Sequence, residues 1–230
     1  MRLKLVAALV ALPLLAACAP EVESTIYLKD AMAAADGELH TVPAVLRVPQ
    51  SSEESCNKGL ATLIANLKAL APVSGEGKCI EKKGDQLAEI ETEMDVVSTD
   101  QPYAGSNIFV LDVRSIPTGA NAAPSYGLSF RLAKPLDEIV KALAANSDEL
   151  QAEFDPAKFI FTLNNDIDAT AFSVEPLQVF VDGKPGMPGS EPLKLAYRDT
   201  AEIVLSDVAS EYVAAANRYE FAIVTATQPD

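Results

Sequence analysis

Apolar and polar residues alternate along several stretches of the chain, and this period-two pattern is typical of strands with one buried face. The longest such stretch is 87–97. We expect it to be a strand whose acidic side is exposed to water, where it discourages edge pairing, or else binds a cation or a basic partner. That side carries Glu89, Glu91, Glu93 and Asp95. Shorter stretches predict strands at 22–28, 41–48, 108–113, 126–132, 158–163, 193–197, 201–205 and 219–226, and a strand at 169–181 is interrupted by Pro176.

Apolar positions three and four residues apart predict the helices. The sequence Ser51-Ser52-Glu53-Glu54 has the pattern of a capping box, and the helix that it begins ends before Pro72. A second amphipathic helix follows Pro135, which occupies a favoured first helical position. A third is expected over 207–217, and a short helical turn near 148–153.

This order of elements predicts an α+β fold with antiparallel or mixed β-sheets and two or three amphipathic helices. The chain of 230 residues suffices for one large domain or for two small α+β subdomains. The turn-rich stretch 98–107 is the best candidate for a boundary. The predicted subdomains are therefore 25–105, which includes Cys56 and Cys79, and 106–230.

The first 17 residues have the pattern of a signal peptide, with Arg2 and Lys4 before an apolar run of about ten residues. The ending Leu15-Ala16-Ala17-Cys18 resembles the lipobox of bacterial lipoproteins. The resemblance implies a diacylglyceryl group on Cys18, cleavage before it and acylation of the new amine. No other apolar run approaches the roughly 20 residues of a membrane helix, so the lipid is the expected membrane attachment.

The segment after the lipidated cysteine is short. Residues 18–24 form the predicted tether, and a β-like stretch already begins at Val22. The residue after Cys18 is Ala19, whereas an Asp there commonly retains Gram-negative lipoproteins in the inner membrane. If the host is Gram-negative, we therefore expect an outer-membrane protein that faces the periplasm.

The charge of the chain argues against nucleic-acid binding. Without Arg2 and Lys4, 16 basic and 33 acidic side chains remain, a net charge of about −17. A surface this acidic repels phosphate backbones, so no nucleic-acid partner is expected. The acidity also disfavours lying flat on anionic lipid and is typical of an exported domain that stays dispersed.

Cys56 and Cys79 are the two cysteines left after Cys18, and in an exported protein we expect them to form a disulfide. The helix from Cys56 rises roughly 21 Å, and the returning segment 71–79 can span about 30 Å, so Cys79 can come back beside the helix start. A redox-active pair would have CxxC spacing, which is absent here.

The sequence contains no clear catalytic motif. It has a single histidine, His40, and neither a GxSxG nucleophile elbow nor a phosphate-binding glycine loop. We therefore expect no enzymatic activity and no cofactor. The alternative is an envelope hydrolase that uses a pair of carboxylates from Glu89, Glu91 and Asp166, which requires two of them about 5–9 Å apart in one cleft.

The nearest approach to a metal motif is the stretch from Asn164 to Glu175. Asn164, Asp166, Asp168 and Glu175 occupy positions 1, 3, 5 and 12 of a calcium loop, but position 6 is Ala169 instead of glycine. A polar turn between two strands explains the same residues, and we predict no metal.

Three large side chains are candidates for partner binding because the sequence puts them in loops. They are Tyr103, Tyr126 and Met187. Local packing in the loops is the alternative explanation for them.

The N-terminal part, over about residues 15–97, resembles uncharacterised small lipoproteins encoded in phages and prophages. The likeness rests on Cys18, Glu21-Val22-Glu23, Tyr27, the strand at 41–48 and the Cys56–Cys79 pair that frames a helix. It implies an anchored accessory protein with no assigned activity.

The sequence therefore predicts a non-catalytic lipid-anchored protein that binds or occludes another envelope component. One such role is a phage-encoded modification of the host surface, for example the exclusion of a second phage. A structural subunit of an outer-membrane assembly is the alternative.

Overall fold

The computed structural model describes residues 20–73, 75–119, 122–145 and 157–227. The predicted leader, Cys18 and the helical turn near 148–153 lie outside these residues. The described helices are α1 (Leu28–Ala35), α2 (Glu53–Leu70), α3 (Leu136–Leu143) and α4 (Asp207–Ala216). The strands are β1 (Glu21–Tyr27), β2 (His40–Gln50), β3 (Gly77–Lys82), β4 (Asp85–Ser98), β5 (Phe109–Ile116), β6 (Ser125–Leu132), β7 (Lys158–Asn164), β8 (Ala171–Pro176), β9 (Val179–Val181), β10 (Lys184–Gly186), β11 (Leu193–Leu195), β12 (Thr200–Leu205) and β13 (Arg218–Thr227).

All of these strands belong to one 13-stranded sheet, which confirms the α+β class but is richer in β-structure than predicted. The order is β10-β9-β12-β7-β1-β2-β4-β5-β6-β13-β8-β11, and β3 pairs with β4 beside this path. The pairs β1–β7 and β4–β5 are parallel. Both join strands on opposite sides of the boundary predicted between 105 and 106, and the division into subdomains stays a prediction.

The sheet is curled, as the chain connection between its two ends shows: strands near opposite ends follow each other directly in the sequence. β8 and β9 lie next to the last strands at opposite ends, yet Leu177 and Gln178 alone connect them. The interruption expected at Pro176 within 169–181 is therefore found, but it separates two strands near opposite ends of the sheet instead of forming a bulge. Gln178 has a φ of 56°, which turns the chain from one end of the sheet to the other.

The concave side of the sheet encloses a core of phenylalanine side chains. Phe130 lies at its centre, with ring centroids 4.7 Å from Phe159 and 5.1 Å from Phe161. Phe161 in turn stacks on Phe221 at 5.1 Å, so strands from distant parts of the chain meet through one aromatic cluster. Such offset pairs add to the stabilisation that burial alone provides.

Three elements were not predicted: the three-residue strand β10, the strand β3, and α1, which brings the described helices to four instead of two or three. Helix α1 has no side-chain cap and few large apolar residues, and it buries Leu28, Ala31 and Ala34. Strand β3 has no buried residue because it pairs with β4 at the side of the main path. Neither α1 nor β3 therefore has a clear apolar pattern.

The predicted disulfide is confirmed. Cys56 is buried in the first turn of α2, where Ser52 caps the helix, and Cys79 lies on β3. Their Cα atoms are 6.0 Å apart and the sulfurs are bonded. The bond fixes the start of α2 to β3 and, through β3, to the beginning of β4.

Replacing both cysteines by alanine should lower the free energy of unfolding by about 3 kcal/mol, because the bond closes a loop of 23 residues in the unfolded chain. Urea unfolding of the wild type with and without reductant measures this loss. The Cys56→Ala/Cys79→Ala variant is the control, since reductant should not change its midpoint. An equal midpoint for oxidised and reduced wild type would contradict the prediction.

Candidate functional site

A groove of about 580 Å³ crosses the face of the sheet opposite to the phenylalanine core. We call it the charged groove, and it lies over β1, β7 and β12 beside the β3–β4 turn. Volumes of this size are typical of small-molecule sites. Its lining residues are Glu21, Glu23, Arg47, Lys82, Lys83, Asp85, Leu87, Lys158, Ile160, Glu202 and Val204.

The register of three adjacent strands creates the ionic network below the groove. Glu21 of β1 pairs with Arg47 of β2, and Arg47 pairs with Glu89 of β4. Arg47 Nε is 2.8 Å from Glu89 Oε2, and its Nη1 is 3.6 Å from Glu21 Oε2. Nη1 also contacts Glu23, and the Arg47 side chain is only 12% exposed. One half-buried guanidinium is therefore shared by three carboxylates.

Two lysines approach Glu21 from other strands. Lys82 Nζ donates a hydrogen bond to Glu21 Oε2 at 2.6 Å, and Lys158 Nζ lies 3.5 Å from Oε1. Lys158 is opposite Glu21 in the β1–β7 register, whereas Lys82 ends β3. The turn Lys83-Gly84, with φ values of 56° and 91°, holds the end of the β3–β4 hairpin at the groove.

The network changes the pKa values of its members. Burial alone would raise the pKa of Glu21, but the hydrogen bond and charge of Lys82, together with Lys158 and Arg47, hold it below its ordinary value. Burial likewise opposes the lower pKa of Glu89, and its hydrogen bonds to Lys78 and Arg47 outweigh that effect. Both carboxylates are therefore more acidic in the folded chain.

We expect the protein to lose stability in acid. A carboxylate whose pKa is lowered by folding stabilises the fold fully above its unfolded pKa, here the ordinary 4.5, and loses this contribution as the pH falls through the folded value. Urea unfolding from pH 7 to pH 3 should show the loss below about pH 4.5. The Glu21→Gln/Glu89→Gln variant should lose less stability over that interval, and an identical loss in both proteins would contradict the assignment.

Three charged groups at the groove have no ion-pair partner in the described part of the chain. They are Lys83, Asp85 and Glu202, all exposed. The apolar floor between them is formed by Ile160 and Val204. Such a surface can bind a small ligand that carries both signs of charge and an apolar portion.

A second polar cluster surrounds Asp95, and it corrects the expectation of a fully solvated acidic row on β4. Asp95 is 3% exposed and accepts hydrogen bonds from Thr41 Oγ1, Asn107 Nδ2 and Tyr103 Oη at 3.0, 2.8 and 2.7 Å. Glu89 is also half-buried, in its ion pairs, while Glu91 is exposed as expected. The alternating pattern identified the acidic face of β4, but it could not predict which side chains from other elements cover that face.

The three side chains predicted as candidates for partner binding differ in their exposure and in the elements that carry them. Tyr103 is half-buried, and its hydroxyl is bound to Asp95. The pKa of that hydroxyl is raised above its usual range, mainly by burial and also by the hydrogen bond to the negatively charged Asp95. Tyr126 is not a loop residue, because it lies half-buried on β6. Met187 is 51% exposed in the loop after β10, so it alone of the three presents its side chain freely.

The calcium-like stretch forms the turn between β7 and β8. Asp166 Oδ1 accepts a hydrogen bond from the Lys29 amide, and Asp168 Oδ1 accepts one from the Ala169 amide. Asn164 ends β7, and Glu175 on β8 accepts one from the Gly189 amide. Among the residues that the structure describes, no group of three or more His, Cys, Asp or Glu could hold a metal ion.

Glu89 and Asp166, two of the carboxylates proposed for a hydrolase, are not brought into one cleft. Glu89 lies at the level of Glu21 and hence of the start of β7, whereas Asp166 follows its end. Seven residues of strand separate these levels by roughly 20 Å, well beyond the separation of a catalytic pair. His40 lies at the surface, 3.2 Å from Glu38 and 3.7 Å from Asp30.

Arg47, Lys82, Lys158 and Glu202 were not singled out from the sequence. Each is an ordinary charged residue on a strand, and only the order β12-β7-β1-β2-β4, with β3 paired to β4, brings them together. One signal was present: Arg47 is a long cation within an otherwise apolar strand, which indicates a partner on the neighbouring strands.

Within the four described stretches, no helix is both long and apolar enough to cross a membrane. A model of the family described as "Domain of unknown function (DUF7424)" matches residues 20–228. No curated protein and no solved structure matches the chain. The family match includes the disulfide, the charged groove and the cluster around Asp95.

Proposed function

The chain belongs to the DUF7424 family, and we propose that it is a lipid-anchored envelope protein that acts by binding or occluding another envelope component instead of by catalysis. In this proposal Cys18 carries the acyl chains. The membrane is the outer membrane of a Gram-negative host, with the folded domain in the periplasm.

One observation carries the proposal: the folded sheet begins very close to the proposed anchor. β1 starts at Glu21, three residues after Cys18, so the chain between them spans at most about 11 Å. β1 is also an interior strand, held by β2 on one side and by β7 on the other. A domain attached in this way stays beside the bilayer and cannot reach far across the periplasm.

The opposite end of β1 offers the surface that faces away from the bilayer in this proposal. It lies roughly 20 Å from Glu21 along the strand. Tyr27 and Tyr197 are 36% and 42% exposed there, and the guanidinium of Arg198 lies 5.0 Å from the Tyr197 ring centroid. Tyrosine and arginine are enriched in protein interfaces, so we propose this end for partner binding.

The loop that contains Tyr197 is held in place by hydrogen bonds to the buried residue Asn165. Asn165 is fully buried, and its Nδ2 donates to the carbonyls of Thr170 and Leu195 at 2.8 and 3.1 Å. The backbone carbonyl of Asn165 accepts a hydrogen bond from the backbone amide of Arg198. Interface side chains on a rigid loop lose little conformational entropy when they bind.

Palmitate labelling of cells that express the wild type or Cys18→Ala tests the anchor. We expect label and outer-membrane fractionation for the wild type, and neither for the variant. Unlabelled wild type would contradict the proposal.

Cross-linking of the labelled protein in membranes then tests the partner. A reproducible partner that Tyr197→Ala/Arg198→Ala loses is expected, with Met187→Ala as the exposed control. Absence of any partner, together with unchanged phage sensitivity on deletion of the gene, would contradict binding or occlusion.

A further inference from the structure

We propose that the charged groove binds the headgroup of a phospholipid in the bilayer that holds the anchor, and that phosphoethanolamine headgroups fit it best. This inference rests on the lipid anchor proposed above. It adds a second, non-covalent contact with the membrane, and this contact would fix which face of the domain lies against the bilayer.

The position of the groove is the first argument. Glu21 is both the first residue of β1 and part of the groove lining, so the groove lies within about 11 Å of chain from Cys18. Lys158 begins β7 at the same level, and the turn at Lys83 projects beside them. An acylated Cys18 would bring lipid headgroups to this part of the surface without any change in the fold.

The distribution of charge is the second argument. The groove has four basic and four acidic side chains in its lining, although acidic residues outnumber basic ones 33 to 18 in the whole chain. At one wall three lysines, Lys82, Lys83 and Lys158, lie with two carboxylates, those of Glu21 and of Asp85, which is opposite Lys82 in the β3–β4 register. This wall has a local excess of positive charge that can accept a phosphate.

The remaining lining complements the rest of a headgroup. Asp85 and Glu202 are exposed and form no ion pair within the described residues, so they can accept the hydrogen bonds of an ammonium group. Ile160 and Val204 between the walls suit the glycerol and upper acyl carbons. A phosphate, an ammonium and an apolar portion are together the chemistry of phosphatidylethanolamine.

The composition of the chain permits a direct test, because it contains no tryptophan. Phe180 pairs with Val204 at the edge of the groove and is 40% exposed, whereas Tyr197 is 42% exposed at the opposite end of the sheet. Phe180→Trp and Tyr197→Trp therefore give single fluorescent reporters of matched exposure. Each lipidated protein is reconstituted in phosphatidylethanolamine vesicles that contain headgroup spin-labelled lipid.

We expect the spin label to quench Phe180→Trp several-fold more strongly than Tyr197→Trp. Lys83→Glu/Lys158→Glu in the Phe180→Trp background should reduce the docked-to-undocked ratio by about ten-fold or more, because each lysine donates a charge-assisted hydrogen bond to the phosphate. Lys29→Glu/Lys68→Glu changes the net charge equally, at exposed positions after the far end of β1 and in the last turn of α2, and should leave the quenching unchanged.

Equal quenching of the two reporters in protein that carries palmitate would overturn the headgroup contact and leave the anchor intact. Absence of palmitate would instead remove the anchor and this inference with it. Release of the Phe180→Trp quenching by millimolar inorganic phosphate would identify a free-phosphate site and overturn the assignment to lipid. Equal quenching in phosphatidylglycerol vesicles would overturn the role of Asp85 and Glu202.

Discussion

Replacing Arg47 by methionine should lower the free energy of unfolding by about 3–5 kcal/mol, the range observed when one partner of a buried ion pair is removed. The Arg47 side chain is 12% exposed, and the carboxylates of Glu21 and Glu89 beside it are each 14% exposed. Methionine retains the apolar stem but leaves these acids, with Glu23, close together and without their shared cation. Urea unfolding at pH 7 measures the loss.

Arg114 provides the matched control. It forms a salt bridge of 2.8 Å with Glu220 over the intervening strand β6, but its side chain is 40% exposed. Arg114→Met should therefore cost at most about 1 kcal/mol, as surface pairs do. If Arg47→Met costs no more than Arg114→Met, the network does not stabilise the sheet.

A second comparison identifies the cause of the loss. If repulsion among the remaining carboxylates destabilises Arg47→Met, then adding Glu89→Gln should restore part of the stability. The same Glu89→Gln change in the wild type should be destabilising, because it removes a charge-assisted hydrogen bond of 2.8 Å to Arg47. A change of sign between the two backgrounds indicates electrostatic coupling. A loss in both would indicate that repulsion among the carboxylates does not cause the destabilisation.

The sequence predicted the strands that alternate clearly, the capped helix α2 and the disulfide, because each depends on residues close together in the chain. β2 and β4 were predicted within two residues of their observed ends. The single curled sheet was not predicted, because it depends on the parallel pairs β1–β7 and β4–β5. Strand patterns specify which face is buried but not which strand is adjacent.

The candidate site was missed for the same reason. Lys158 and Glu21 are separated by more than half of the chain, and the parallel register alone places them opposite each other. The residues singled out instead, such as Tyr126 and Asp166, belong to a strand and to a local turn. The alternation of charged and apolar residues predicted the strands, but the contacts of the charged side chains depend on which strands are adjacent, and alternation does not specify that.

Replacing Asp95 by alanine should also lower the free energy of unfolding by about 3–5 kcal/mol. The substitution removes a charged acceptor and leaves the Tyr103 hydroxyl and the Asn107 amide without their partner in a buried site. The loop from Ser98 to Asn107 depends on these bonds, and Arg131 lies over the Tyr103 ring at 5.0 Å. Urea unfolding and limited proteolysis of that loop measure the two consequences.

Tyr103→Phe is the conservative comparison, because it keeps the ring below Arg131 and removes only the hydroxyl. We expect a loss of about 1 kcal/mol in the wild type, the usual value of one hydrogen bond. In the Asp95→Ala background the same change should cost almost nothing, since the hydroxyl has already lost its carboxylate. Additive losses would mean that the hydroxyl depends on the Asn107 carbonyl, 2.8 Å away, and that Asp95 does not hold the loop through Tyr103.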